Sequence, residues 1–348
     1  MFWLFSCASL CLCGEAPGAD PGAEPPLSVS ADRAVSQRAG KDAEGRDLTR
    51  ARFTGNVVAV RGDVTLKCAE LEVLFARDAR DAERGEAAER GRARQARASG
   101  SVVVTMPGRR AVADEAVYDV AAERITLSGK TRPVIYHEGD AVAAESFVLH
   151  RTERVAEARG RTSAMIAPRK AGAEADANAA AGDAKAEPLK AGPSAGRKTR
   201  IDSTDGAVYR DAERELFMRG EVVVQQEGFR LRCGRLWACF ERRPEKPAEG
   251  PGQDVVPGAG ALSRLVAAGG VRLETEARTA ESELAEYDAA KRTVTLAGEH
   301  GQPEIREGGS RLTAPQIVYH LAEDRVEPRG GPFKAVIEGR GGDLPGRR

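Results

Sequence analysis

The sequence predicts an all-β fold built twice in tandem, and three observations carry that prediction. The chain repeats itself at a nearly constant spacing, its apolar residues alternate with period two, and no stretch of the repeats sustains a 3.6-residue period. Val, Ile, Leu and Thr fill the alternating runs, and Gly, Asp and Pro bound them, which is the composition of half-buried strands.

The duplication comes first. FTGNVVAVRGDVTLKCAELEVLF at 53–75 realigns 165 residues on with MRGEVVVQQEGFRLRCGRLWACF at 218–240, placing Gly55 on Gly220, Leu66 on Leu231 and Cys68 on Cys233. A second block at 99–129 realigns 169 residues on with 268–298, matching Gly100 to Gly269, Tyr118 to Tyr287 and Gly129 to Gly298. Registers this long without gaps define an internal repeat.

Within each half a smaller unit recurs: a Gly, a Val-x-Val strand, a turn, a second strand, then a small residue beside an acidic one. That pair stands at Ala31-Asp32, Ala69-Glu70, Ala113-Asp114, Ala144-Glu145, Thr204-Asp205 and Ser282-Glu283, with Ala314-Pro315 as a degenerate copy. Positions that stay apolar in every copy share an environment. Val57/Ala59, Val102/Val104, Val222/Val224 and Val271/Leu273 therefore point inward, while their neighbours drift as far as Arg272/Glu274. In the next strand Val64, Leu66 and Cys68 share a phase that slips by one before Leu71, Val73 and Phe75. Such a slip moves side chains to the other face unless a bulge or corner absorbs it. The small-acidic pair is read as that corner, where the chain turns from one sheet toward a second, as in a sandwich or jelly-roll.

Composition sets the boundaries. The segment 167–199 contains almost no bulky apolar side chain and cannot offset its ordering entropy. It is expected to be a flexible linker between a first domain at 27–166 and a second at 200–340, with a disordered tail at 341–348. Polar inserts at 76–99 and 241–262 are read as loops. Residues 1–26 form a signal-like apolar run and a Pro-rich spacer, too short to cross a bilayer as a helix. Leu4-Phe5-Ser6-Cys7 loosely matches a lipidation motif, so Cys7 is either a lipid attachment point or lost with a cleaved signal. Beyond it stand Cys68, Cys233 and Cys239, whose spacing fits no zinc pattern. They are expected to be small buried thiols.

Acidic and basic residues number 53 each and are interspersed, which leaves no electrostatic footprint for nucleic acid. The four histidines, His137, His150, His300 and His320, make no metal-ligand spacing, and the glycine clusters lack the lysine of a phosphate loop. Acidic pairs invite a glycosidase reading, but a catalytic pair occurs once per site whereas these recur at every corner. Neither an enzyme nor a cofactor is expected.

The motifs resemble those of the LptA/OstA-like family of lipopolysaccharide transport. They are Phe53-Thr54-Gly55-Asn56-Val57, Leu66-Lys67-Cys68-Ala69-Glu70, Ala116-Val117-Tyr118-Asp119 and Ile125-Thr126-Leu127-Ser128-Gly129, echoed by Gly220-Glu221-Val222, Ala285-Glu286-Tyr287-Asp288 and Val294-Thr295-Leu296-Ala297-Gly298. The resemblance implies two tandem antiparallel β-jelly-rolls, each an open V-shaped roll. It also implies a periplasmic component of outer-membrane biogenesis that holds the acyl chains of lipopolysaccharide or a related glycolipid in an apolar groove. Other OstA-like proteins would join it through exposed edge strands, and the N-terminus would be a signal peptide or a membrane anchor. Candidate groove residues are Val57, Val64, Leu66, Val102, Val104 and Leu127, with Val222, Phe229, Leu231, Val271, Leu273 and Leu296 in the second half. The competing expectation is an envelope scaffold that uses the same roll without holding lipid.

Overall fold

Four long strands in each repeat organise the protein, seen in a computed structural model that describes residues 28–77, 92–137, 139–166, 198–241 and 262–337. The chain divides into two compact units, one of Met1–Glu138 with Glu145–Thr152, the other of Gly139–Ala144 with Glu153–Arg348. Strands are numbered along the chain.

Unit one contains β1 (Ser28–Ser30), β2 (Arg33–Lys41), β3 (Asp47–Arg61), β4 (Val64–Arg77), β5 (Arg92–Met106), β6 (Arg109–Asp119), β7 (Arg124–Ser128), β8 (Val134–His137) and β10 (Ser146–His150). Strands β3 to β6 form an antiparallel meander whose registers slip between Thr54 and Val57, Lys67 and Glu70, and Ser99 and Val102. Each slip divides a long strand into two arms. The arms on one side of the slips pair with β1 at one edge and β8 at the other, making sheet I. The opposite arms pair with β2 and β7, and β10 then adds to β7, making sheet II.

The corners fall where the small-acidic pairs stand. Ala31-Asp32 lies between β1 and β2, Ala69-Glu70 at the slip in β4, and Ala113-Asp114 where β6 exchanges β8 for β7. The acidic residue ties the corner down by bonding groups at the slip or in the loop that passes beside it. Asp32 donates its N–H to the Gly55 carbonyl at 3.0 Å and accepts from Asn56 Nδ2 at 3.0 Å. Asp114 Oδ2 accepts from the Thr131 N–H at 2.7 Å, and in unit two Glu283 Oε2 accepts from the Glu299 N–H at 2.7 Å. Those N–H donors of Glu299 and His300 hold the Glu283 carboxyl below its usual range. At Gly100 the strand needs φ of +79°, and an added Cβ would come 2.7 Å from that of Ala69 on the neighbouring strand. Only glycine fits there.

Unit two repeats the plan with β13 (Thr199–Ser203), β14 (Ala207–Arg210), β15 (Glu215–Gln226), β16 (Phe229–Phe240), β17 (Leu262–Thr275), β18 (Arg278–Asp288), β19 (Thr293–Ala297), β20 (Glu304–Glu307) and β22 (Gln316–His320). Its slips lie between Arg219 and Val222, Arg232 and Arg235, and Ala268 and Val271, so Gly220 occupies the place of Gly55. Strand β15 divides its edge between β13 and β14, and β18 divides its own between β20 and β19. Beyond these, β21 (Ser310–Thr313) and β24 (Lys334–Val336) extend sheet I, while β22 and β23 (Arg325–Arg329) extend sheet II.

Unit two also takes in β9 (Asp140–Ala143), β11 (Val155–Arg159) and β12 (Thr162–Ile166), which come from the end of the first repeat. Strand β12 pairs with β13 and β9, and β11 pairs with β14. The compact units divide at 138–153, and the strands flanking 167–197 belong to one unit. The physical reason is that β13 and β14 are open edges, and the closing strands of the first repeat satisfy them. Residues 167–197 themselves, like the signal-like start with Cys7 and the tail, lie outside the described residues.

The insert expected to be a loop at 76–99 needs correction, since β4 runs to Arg77 and β5 begins at Arg92. Residues 92–99 alternate Ala with Arg, Gln and Ser, and alanine is too small to mark an inward phase by hydropathy alone. Of the insert at 241–262, residues 242–261 lie outside the described residues.

Candidate functional site

The interior is built from rows of side chains that cross each sheet in register. In sheet I of unit one, Ala59, Leu66, Val104, Ala111 and Ile135 form one row, with the pairs Val57–Cys68 and Val102–Ala113 beside it. Sheet II contributes Phe53, Leu71, Ala98, Ala116, Leu127 and Phe147. Val57, Val102 and Leu127 are each 1% exposed. No helix lies among the described residues to cover these faces, so the two sheets bury one another.

The candidate residues separate into two groups. Val57, Val102, Leu127, Val222, Phe229, Leu231, Val271, Leu273 and Leu296 are buried, whereas Val64, Leu66 and Val104 are half-buried. All three half-buried residues sit on the inner face of sheet I in unit one. Their equivalents in unit two, Phe229, Leu231 and Leu273, are all buried, as is the whole row Val224, Leu231, Leu273, Ala280 and Ile305. The same inward pattern thus leaves the first interior more accessible than the second. Alanines at 59, 96, 98, 111, 113 and 116 keep the first lining small.

A polar cluster in unit two escaped the sequence reading. Tyr319 is inward-facing and 7% exposed, and its hydroxyl donates to Asp324 Oδ1 at 2.6 Å. From the first residue of β18, Arg278 reaches the same carboxylate at 2.5 Å and Glu307 at 2.8 Å, with its guanidinium 5.3 Å from the Tyr319 ring centre. Burial, and then the Asp324 carboxylate, push the Tyr319 hydroxyl up to about 12. The available signal was Arg278 in the inward phase of Ala280. In unit one Arg151 donates to the Tyr118 hydroxyl at 3.2 Å and lies 5.9 Å from that ring.

Among the described residues no group of three or more His, Cys, Asp or Glu is placed to hold a metal ion. His320 Nε2 lies 3.1 Å from Glu327 Oε2, and Glu327 also accepts from Arg325 and Arg329. The Arg329 hydrogen bond, joined by His320 and Arg325, holds the Glu327 carboxyl down at about 2. Cys68 and Cys233 are free and buried, and Cys239 is free and half-buried. Burial pushes the Cys233 thiol up to about 11, which leaves it a poor nucleophile.

Comparison with known proteins bears on this interior. The sequence matches the family described as LptA/(LptD N-terminal domain) LPS transport protein over residues 39–155 and 201–325, one match per repeat. Among solved structures the chain is similar to LptH of Pseudomonas aeruginosa, described as the LptA-homologous periplasmic component of the lipopolysaccharide transport device. That pair is 16% identical with a TM-score of 0.32, over 40% of this chain and 95% of LptH. No curated protein sequence matches.

Proposed function

We propose, for a chain that belongs to the LptA/LptD N-terminal-domain family of LPS transport proteins, that unit one holds the acyl chains of lipopolysaccharide or a related glycolipid between its sheets in the periplasm. The observation that carries this reading is the partial exposure of Val64, Leu66 and Val104 on an otherwise buried inner face. An acyl chain laid on that strip gains about 0.8 kcal/mol per buried CH2, so a few methylenes outweigh the loss of mobility in the tail. The work is carriage rather than catalysis, and 27–166 and 200–340 are the two rolls in this proposal.

Edge strands supply the partner surface. Among the described residues β23 and β24 each pair on one side only, as do β1 and β2 at the other end. The pairing of β12 with β13 and of β11 with β14 inside this chain is the geometry by which another OstA-like protein would add to them. A scaffold role fits unit two better than unit one, because Leu231 and Leu273 are 3% and 9% exposed and fill their own interior.

The test compares Val104→Asp with Leu273→Asp, reading bound lipid by mass spectrometry and folding by circular dichroism. An unpaired charge is costly in an apolar site, so Val104→Asp should keep its β signal and lose its lipid. Folded Val104→Asp that binds lipid A as well as the parent does would overturn the groove and leave the scaffold reading in its place.

A further inference from the structure

The two repeats differ most on the face turned away from the interior. On the outer side of sheet II in unit one, Arg52, Glu72 and Arg97 stand in one cross-strand row. The face is neutralised by its own pairs: Arg52 with Glu70 at 2.7 Å, Arg50 with Glu72 at 3.1 Å and Arg97 with Glu115 at 3.1 Å. At the equivalent positions of unit two the row reads Phe217, Trp237, Val266, continued by Val208 where unit one has Val35. Trp237 is 40% exposed and Leu284, two strands further on, is 37% exposed. Both faces sit on the same fold in the same register, so the fold does not demand the aromatic strip. Leaving it in water sacrifices burial that the first repeat never put at stake.

The charges around the strip point to what covers it. Arg219 and Arg235 are register partners on adjacent strands, a like-charge pair that opposes folding. Among the described residues neither guanidinium has a carboxylate partner, and nor does Arg210 beside them. Of the neighbouring acids, Glu286 holds Arg264 at 2.8 Å, Asp288 holds Lys291 at 2.8 Å and Glu157 engages Arg159 at 2.9 Å, while Glu215 and Asp205 stand as the opposing charges. Val208, Arg210, Glu215, Phe217, Arg219 and Trp237 line a shallow depression of about 460 Å³. Strands β14 to β17 are paired across this face, so no ladder edge is offered and contact must come through side chains. Indole and guanidinium groups together suit the headgroup level of a bilayer, where the ring meets the acyl boundary and the cation meets phosphate.

We propose that the outer face of sheet II in unit two, centred on Trp237 and Phe217 and flanked by Arg210, Arg219 and Arg235, docks on an anionic phospholipid surface. Phosphate between Arg219 and Arg235 relieves their repulsion, and Phe217 and Trp237 lose water against the first methylenes. This contact does not depend on the interior of unit one holding lipid.

The experiment follows the fluorescence of Trp237. The chain has two tryptophans, so the full-length protein carrying Trp3→Phe reports Trp237 alone. It is mixed with vesicles of phosphatidylcholine with or without phosphatidylglycerol, their chains brominated to quench a nearby indole. Expected are a blue shift and quenching with the anionic vesicles only, both fading as salt rises. Arg219→Glu with Arg235→Glu should lower the apparent affinity about tenfold or more, since each basic residue near an anionic surface contributes on the order of fivefold. Arg219→Gln with Arg235→Gln should give a smaller loss with less change in fold. Because quenching is read at Trp237, attachment through the apolar N-terminus cannot imitate it. An indole unquenched by anionic vesicles, or equally quenched after charge reversal, overturns the proposal and leaves the strip to a protein partner.

Discussion

Ile166 and Thr199 are register partners on adjacent antiparallel strands, β12 and β13. The intervening chain therefore departs from and returns to one place in a ladder. A cut within 167–197 should leave a nicked protein that elutes as one species in size-exclusion chromatography, held by the β12–β13 and β11–β14 ladders. Two fragments that separate without denaturant would count against this pairing.

The corner at Gly220 should tolerate no side chain. Its φ is +88°, and an added Cβ would fall on the Thr204 hydroxyl and 2.9 Å from the Asp205 backbone nitrogen. Gly108 also has positive φ, at +70°, but nothing within 4 Å. Urea unfolding should show a cost of about 1 kcal/mol for Gly108→Ala and about 2 to 3 kcal/mol for Gly220→Ala. Equal costs would mean that corner contact contributes nothing.

Acid should loosen the end of unit two through Glu327. Its carboxyl titrates at about 2 in the folded chain and at about 4.3 when unfolded. A depressed carboxylate stabilises above the unfolded value and loses that contribution as pH falls through the folded one. Glu327→Gln should therefore flatten the fall in thermal stability between about pH 4.5 and pH 2. An unchanged profile would show that its three partners add nothing to folding.

Alkali acts on Tyr319 in the opposite sense. Its hydroxyl is raised to about 12 from about 10 when unfolded, so its contribution is complete below pH 10 and is lost as pH rises through the folded value. Tyr319→Phe should reduce the alkaline loss of stability between about pH 10 and 12, read by circular dichroism. The substitution also frees a hydrogen bond from Asp324, so a small cost at neutral pH is expected.

Much of the fold was legible because repetition exposed what one copy conceals. Comparing Val57, Val102, Val222 and Val271 assigned the inward face, and all four are at most 2% exposed. The small-acidic pairs marked corners because a corner needs an acceptor for stranded N–H groups. Less visible were the first residues of β5, where alanine in an arginine-rich stretch conceals the alternation. The assignment of β11 and β12 to unit two was invisible, since pairing across the end of a repeat leaves no periodic mark. For the interior, sequence gave the direction of each side chain but not its residual exposure. Leu66 and Leu231 occupy matching positions, yet only Leu231 is buried.

Each long strand of a unit belongs to both sheets and passes between them at a register slip. The sheets consequently cannot part like two separate plates, for every strand on one side is covalently the strand on the other. Widening the angle between them means swinging four hinges in step, at Gly55, Ala69, Gly100 and Asp114 in unit one. The ladders on either side stay intact through that movement, so its resistance is torsional. A change in the angle between the sheets is therefore a change of backbone torsion at these four positions, with the rungs of both ladders left as they are.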